Sequence, residues 1–285
     1  MGDPIDIKKY ATEHGVNIND FKSVYNFLDQ LAQKDEKEMI RYACKEGLSE
    51  IRNNYKATPL IVASSCGNVK LVQYLIEGGC NREAVNKQGN CCLMSAAGNG
   101  KIDVVRYLTS IGFDKNWCRQ EDCLNAILYA SQESQTEIVK FLRSVGCDIN
   151  SKNKEGKNCI YYASMKGNVD LIQYLVNEGA DPQARTEQGW TPFLVAAQNG
   201  HLELVKYFHQ LGCDINDQTL NNQTLLHVAT DFGHIQVVEY LISIGCKLNV
   251  KDSTGKTPLS VAKVRKDRNE TMAKIFKMIK KAGGK

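Results

Sequence analysis

Eleven cysteines and five histidines are the residues of this 285-residue chain best suited to hold a metal or attack a substrate. Cys80, Cys147, Cys213 and Cys246 fall at one periodic position, with Phe113 and Ala180 completing the column. Four thiolates are the donor set of a structural zinc site, which needs every sulfur about 2.3 Å from one ion. Positions one or two repeat lengths apart lie in different helical layers, roughly 10 Å from one another, so the column reads as a packing slot. Cys91 with Cys92, and Cys118 with Cys123, have neither a nearby histidine nor paired C-x-x-C spacing. An odd number of cysteines without close pairing argues for free thiols in a reducing compartment.

Other chemistry is equally sparse. His201 and His234 each follow a turn glycine and are expected to hydrogen-bond within the scaffold. Tyr74, Tyr107, Phe141, Tyr174, Tyr207 and Tyr240 form an aromatic column that could stack bases. At a fixed position on a packed helix, however, such rings serve the core boundary, with hydroxyls reaching water. The chain carries no phosphate loop, no G-x-S-x-G elbow and no H-E-x-x-H, and catalysis would need residues that break the periodic grid. No enzyme activity, cofactor or metal is expected.

The grid itself is the dominant signal. Ala63, Ala96, Ala130, Ala163, Ala196, Ala229 and Ala262 recur every 33 residues, with one interval of 34. A period of this length marks a solenoid. Each copy opens on a turn such as "NKQGN" or "TEQGW", whose Gly89, Gly156, Gly189 and Gly255 can take positive φ and should form hairpin tips. Thr58-Pro59, Thr191-Pro192 and Thr257-Pro258 then read as helix starts, the hydroxyl accepting from a free N–H and proline taking the first helical position. A short helix ends at Gly200. A second carries Leu204, Val205, Phe208 and Leu211 as an apolar stripe, and Gly212 closes it.

The stretches T-P-F-L-V-A-A-Q-N-G-H-L-E-L-V from Thr191 and T-L-L-H-V-A-T-D-F-G-H-I-Q-V-V from Thr224 resemble the ankyrin repeat. The resemblance covers about residues 53–285 as seven copies, the last a basic capping copy. It implies an all-α solenoid of helix-turn-helix units with β-hairpin tips, in which His227 holds the family's T-P-L-H histidine position as a scaffold residue. One 33-residue unit cannot bury enough apolar surface alone, so stability must come from neighbouring interfaces.

Residues 1–52 are expected to form an N-terminal helical cap. Phe21, Val24, Tyr25, Leu28 and Leu31 share a helical face behind Asp20 as cap, and "EMIRYACKEGLSEI" resembles a truncated copy whose second helix cannot be full length. At the other end, Met272, Ile275, Phe276 and Ile279 give a final amphipathic helix with Lys274, Lys277, Lys280 and Lys281 outward. From Lys263 onward nine Lys/Arg face Asp267 and Glu270, about +7, leaving about −3 for the rest of a chain whose net charge is +4. Basicity therefore belongs to the tail and is no argument for a nucleic-acid protein. No apolar run approaches the roughly 18 residues of a membrane span, the start "MGDPIDIKKY" lacks a signal-peptide centre, and Asp6 stands where a myristoylation signal wants Ser or Thr. An intracellular, cytoplasmic or nuclear setting and a monomer are the expectation.

In the resembling family, partners contact the hairpin tips and the exposed positions of the first helices, which together form the concave face. By position these slots hold Tyr55 in the first copy, Leu124 with Gln132 and Glu133 in the third, and Met165 with Lys166 in the fourth. The fifth supplies Trp190, Gln198 and Asn199, and the sixth Leu220, Asp231 and Phe232. Leaving a large apolar side chain in water forgoes roughly 1.5–3 kcal/mol of burial, and aromatic anchors are what interface hot spots are made of. The third copy is a separate candidate. It has one extra residue in "DKNWCRQEDCLNA", lacks the tip glycine, and puts Trp117 where Ala84 and Ala184 stand in other copies. Together these features imply a non-catalytic scaffold or adaptor that binds a protein. The alternatives are a regulatory or substrate-recruiting part of an enzyme or effector, and electrostatic binding of nucleic acid or acidic membrane through the basic tail.

Overall fold

A computed structural model of the chain describes residues 6–265 and 270–285. The charged run at 266–269 and the first five residues lie outside them. Helices are the only regular structure among the described residues, and none is long and apolar enough to cross a membrane.

The chain forms two compact units, residues 1–147 and 148–285. In the first, α1 (Ile7–Glu13), α2 (Phe21–Gln33) and α3 (Lys37–Lys45) precede three helix pairs. These are α4 (Pro59–Cys66) with α5 (Val69–Glu77), α6 (Cys92–Gly98) with α7 (Ile102–Ser110), and α8 (Ala126–Gln132) with α9 (Thr136–Ser144). The second unit has four pairs: α10 (Cys159–Lys166) with α11 (Val169–Asn177), α12 (Pro192–Gln198) with α13 (Leu202–Gln210), α14 (Leu225–Asp231) with α15 (Ile235–Ser243), and α16 (Pro258–Arg265) with α17 (Glu270–Lys281).

Within each unit the first helices of successive pairs pack on one another, α4 on α6 on α8 and α10 on α12 on α14 on α16, and each also packs on its own second helix. Sandwiching explains their composition. All seven residues of α6 and six of the seven in α12 are buried, as a helix apolar all round must be. The second helices are one-sided: α13 buries Leu204, Val205 and Phe208, and α15 buries Val237, Val238 and Leu241. Leu211 leaves the expected stripe. It lies past the last turn as the C-cap and is 40% exposed, while Gly212 follows with φ 80°.

The tips are closed by side chains more than by strand pairing. Only two isolated bridges occur among the described residues, Cys118 with Asn125 and Gln218 with Thr224, so the expected β-hairpins do not extend into ladders. One polar side chain does the work of a ladder in each turn. Asn86 Oδ1 accepts from the backbone N–H of Gln88 at 3.0 Å and of Asn90 at 3.0 Å, and Asn53, Asn153 and Asp252 repeat the arrangement. Gly89, Gly156, Gly189 and Gly255 all take positive φ, 78° to 80°, whereas Lys56, Cys123 and Asn222 fill the same place at 56° to 57°. Main-chain bonds also join neighbouring tips, Lys87 N–H to the Tyr55 carbonyl at 2.7 Å and Leu220 N–H to that of Gln188 at 3.1 Å.

Helix starts follow the expected pattern at Thr191, whose hydroxyl accepts from Leu194 N–H at 3.3 Å, and at Thr257, which accepts from Ser260 N–H at 3.3 Å. Thr58 departs from it: its hydroxyl is buried, makes no capping bond and has no partner among the described residues. At the chain ends, Asp20 caps α2 through Ser23 N–H, Val24, Leu28 and Leu31 are buried, and Phe21 and Tyr25 are half-buried. After α3 a single 3-10 turn, Leu48–Glu50, stands where a full repeat has its second helix. At the C-terminus α17 buries Met272, Ile275 and Ile279 and leaves Phe276 half-buried, with Lys274, Lys277, Lys280 and Lys281 exposed.

Candidate functional site

The periodic cysteines and His227 serve the scaffold. Cys80, Cys147, Cys213 and Cys246 are buried. Burial pushes the Cys80 thiol up to about 12 and those of Cys147, Cys213 and Cys246 up to about 11, away from the thiolate form that attacks or ligates. Among the described residues no three His, Cys, Asp or Glu side chains converge on a common point. His227 is fully enclosed. Its Nδ1 faces the Thr224 hydroxyl at 2.9 Å and accepts from Thr224 N–H at 3.2 Å, while Nε2 donates to the Lys256 carbonyl at 3.0 Å. Burial holds this imidazole below its ordinary value, so it is a neutral fastener between two repeats.

His201 and His234 also bridge successive repeats, one layer apart. His201 Nε2 donates to the Met165 carbonyl at 3.1 Å, and His234 Nε2 to that of Gln198 at 2.7 Å. The aromatic column is half-buried throughout, and two of its hydroxyls meet polar side chains: Tyr74 donates to Asp35 at 2.6 Å and Tyr240 lies 2.8 Å from His209 Nδ1. Guanidinium groups cover two aromatic faces, Arg82 on Phe113 at 4.4 Å and Arg106 on Phe141 at 4.5 Å.

In the second unit the histidine bonds align the helix-to-helix turns of successive repeats into one row. It carries Met165 and Lys166, then Gln198 and Asn199, then Asp231 and Phe232. Lys166 and Asn199 are exposed, as is Phe232, which at 55% is the apolar member of a polar position. Met165, Gln198 and Asp231 are half-buried. A second row runs over the tips. Leu220 occupies a position held by Lys154, Glu187 and Ser253 in the other repeats of this unit and is 73% exposed, against the backbone of the Gln188–Gly189 turn. Trp190, beside it, is half-buried.

In the first unit Tyr55 is 72% exposed at its tip. Leu124 corrects the expectation of an exposed slot, being only 1% exposed. The residue after the positive-φ turn folds back against the helix start, where Ala57 and Asn90 are also buried, and Asp122 Oδ1 fixes Leu124 N–H at 3.0 Å. Its column mate Trp190 is half-buried, as are Lys157 and Gln223 at the same position. Gln132 and Glu133 are half-buried on the turn after α8, where Ser134 takes φ 58° in place of glycine.

The third tip is enlarged as the sequence indicated: its closing bond runs from Arg119 N–H to the Leu124 carbonyl, a span one residue longer than Asn86 to Asn90 or Thr186 to Trp190. Trp117 is half-buried in the turn after α7, at the place of Ala84, Ser151, Ala184 and Asp217. What the sequence did not suggest is the cleft beside it, about 870 Å³, between that turn and the preceding tip.

Short helices stacked pair on pair, tied by side-chain bonds one repeat apart and offering pattern-breaking side chains on tips and turns, define a helical-repeat protein that presents a surface. The chain belongs to the ankyrin repeat family. The ankyrin-repeat sequence profile matches in three copies, over residues 28–117, 127–219 and 193–279. The first match begins inside the segment expected as a cap. A putative ankyrin repeat protein of Acanthamoeba polyphaga mimivirus is 27% identical over 139 residues, 48% of this chain and 27% of the relative. The chain thus aligns with about a quarter of that relative's length. Ankyrin repeats are generally protein-interaction modules, and generally non-catalytic.

Proposed function

We propose that the chain is a non-catalytic adaptor whose second unit holds a protein partner by apolar anchors set in polar rows. Phe232 and Leu220 are the main anchors, Met165 and Trp190 flank them, and Lys166, Gln198, Asn199 and Asp231 supply the hydrogen-bonding rim. The observation that carries this reading is the exposure of Phe232 and Leu220 at positions that are polar in the other repeats of the second unit. Scaffold packing does not require them: Lys166 and Asn199 are exposed at the position of Phe232, and Lys154, Glu187 and Ser253 at that of Leu220. Solvent exposure at rigid turns is what a hot spot needs before its partner arrives. Tyr55, in the first unit, is exposed in the same manner.

The test is a Leu220→Asn, Phe232→Ser variant. Its melting curve should overlay that of the parent, since surface substitutions away from packed features stay within about 0.5 kcal/mol. Proteins captured by the parent should be lost from the variant in quantitative affinity capture. Unchanged capture by a folded variant would remove the second unit's rows from consideration. Capture that collapses between low and moderate salt would move the function to the lysines of α17.

A further inference from the structure

A cleft of about 870 Å³ beside the third tip is a feature of the first unit that the apolar anchors do not explain. Its walls are the Arg82–Glu83 turn, the Phe113–Asp114 turn with Trp117, and the enlarged tip at Arg119–Glu121; Val85 and Leu93 also line it. A smaller cleft of about 530 Å³, lined by Tyr55 and Lys87, shares the Arg119 and Glu121 wall.

Its two guanidinium groups are already committed. Arg119 forms a two-pronged pair with Asp122 and reaches the Gln88 carbonyl and Asn90 Oδ1, at 3.5 and 3.4 Å. Arg82 lies over Phe113, 4.4 Å from the ring centre, and donates to the Ile111 carbonyl at 3.4 Å. The carboxylates are free: Glu83, Asp114 and Glu121 are exposed and make no ion pair among the described residues. Asp114 accepts one backbone N–H, that of Asn116 at 2.9 Å. Asp122 neutralises Arg119, and Arg82, which has no carboxylate of its own, offsets only part of the charge of Glu83, Asp114 and Glu121, so the lining is net negative. An anion would be repelled, whereas a cation would meet three carboxylates and the indole of Trp117.

We propose that this cleft takes an arginine side chain from a peptide segment of the partner, its guanidinium stacked on Trp117 and bonded to carboxylates among Glu83, Asp114 and Glu121. A planar guanidinium suits both halves of such a site, because it stacks on an aromatic face and bonds carboxylates in pairs, which a lysine ammonium does less well. The cleft is tied to the irregularity of the third copy. Trp117 stands where other copies have Ala84, Ser151, Ala184 and Asp217, and the extra residue of the tip extends the wall that carries Glu121. The inference rests on the protein-binding reading only in taking the ligand to be a peptide, and it uses none of the second unit's anchors.

The test is a titration of the full chain with the blocked tripeptide acetyl-Gly-Arg-Gly-amide, following the two indole N–H resonances by NMR. The Trp117 resonance, assigned with a Trp117→Phe variant, should shift to saturation, while that of Trp190 stays in place as an internal reference. The tripeptides with glutamine or glutamate in place of arginine should produce no saturable shift. Glu121→Gln, an exposed change that leaves packing intact, should weaken the arginine response about threefold, and Glu83→Gln with Glu121→Gln about tenfold. Leu220→Asn with Phe232→Ser should leave it unchanged, which separates this site from the second unit's anchors. An equal response to the glutamine or glutamate peptide, no saturable shift with arginine, or indifference to both carboxamide changes would overturn the proposal.

Discussion

The tips of the third and fifth repeats perform one task with different residues. In the fifth, Thr186 closes the turn on Trp190 and Gly189 supplies φ 78° without a Cβ. Arg185 then donates to the Gly189 carbonyl at 3.0 Å and to the Gln218 carbonyl of the next tip at 3.1 Å. In the third, Cys123 bends the chain at φ 57°, and Arg119 is held by Asp122 within the same turn while reaching back to the preceding tip. Glycine makes the regular tip cheap to form and narrow. A side chain at that place makes the turn strained, and an internal ion pair compensates and adds the wall of a cleft. The difference teaches that the repeat tolerates a departure where local bonds replace the glycine.

The sharpest way to break the comparison is Gly189→Ala. A Cβ there would sit 2.8 Å from Leu220 N and 3.0 Å from its Cγ, in a left-handed conformation. The left-handed conformation alone costs about 1–2 kcal/mol, and the backbone contact adds to it. A loss of about 2–3 kcal/mol from the second unit's unfolding free energy is expected in urea titration. A loss below 0.5 kcal/mol would mean that the tips are not held by glycine at all.

Asp122→Ala attacks the other tip. It strands Arg119, which is mostly buried, and leaves Leu124 N–H without its acceptor. About 1–2 kcal/mol should be lost at neutral pH. Burial acts to raise the Asp122 carboxyl, but the Arg119 hydrogen bonds and the backbone N–H of Leu124 outweigh it and hold the group below its usual range. The sign follows: its folded value is depressed, so the stabilisation is present above the ordinary carboxylate value near 3.9 and lost as pH falls through the folded one. The gap between parent and variant should be constant from pH 7 to pH 5 and narrow by pH 3. A gap that widens on acidification would show that the pair is not ionic.

Much of the fold was legible because period and packing are the same fact. The alanine grid marks where first helices stack, and Val237, Val238 and Leu241 sit buried where the second-helix stripe puts them. The tip glycines were legible for the same reason, since positive φ restricts residue choice. Leu124 was misread because a repeat position says which turn a residue occupies, not whether that turn folds its side chain inward. The cleft beside Trp117 was half-legible: the extra residue and the tryptophan stood out, but the commitment of Arg119 to Asp122 and of Arg82 to Phe113, which leaves three carboxylates free, exists only in three dimensions.

The smallest effect is also the most discriminating. Cys123→Gly gives the third tip the fifth tip's residue. Relief of the left-handed strain should stabilise by about 1–2 kcal/mol, and the greater freedom of glycine in the unfolded chain should return about 0.5–1 kcal/mol, leaving a gain of roughly half a kcal/mol. A gain of that sign, read from the urea midpoint at unchanged slope, would mean that the irregular tip is kept at a small standing loss of stability. Departures of that kind persist where they serve a site. A loss instead would mean that Cys123 stabilises its turn beyond its backbone, and the strain argument for this tip would fall with it.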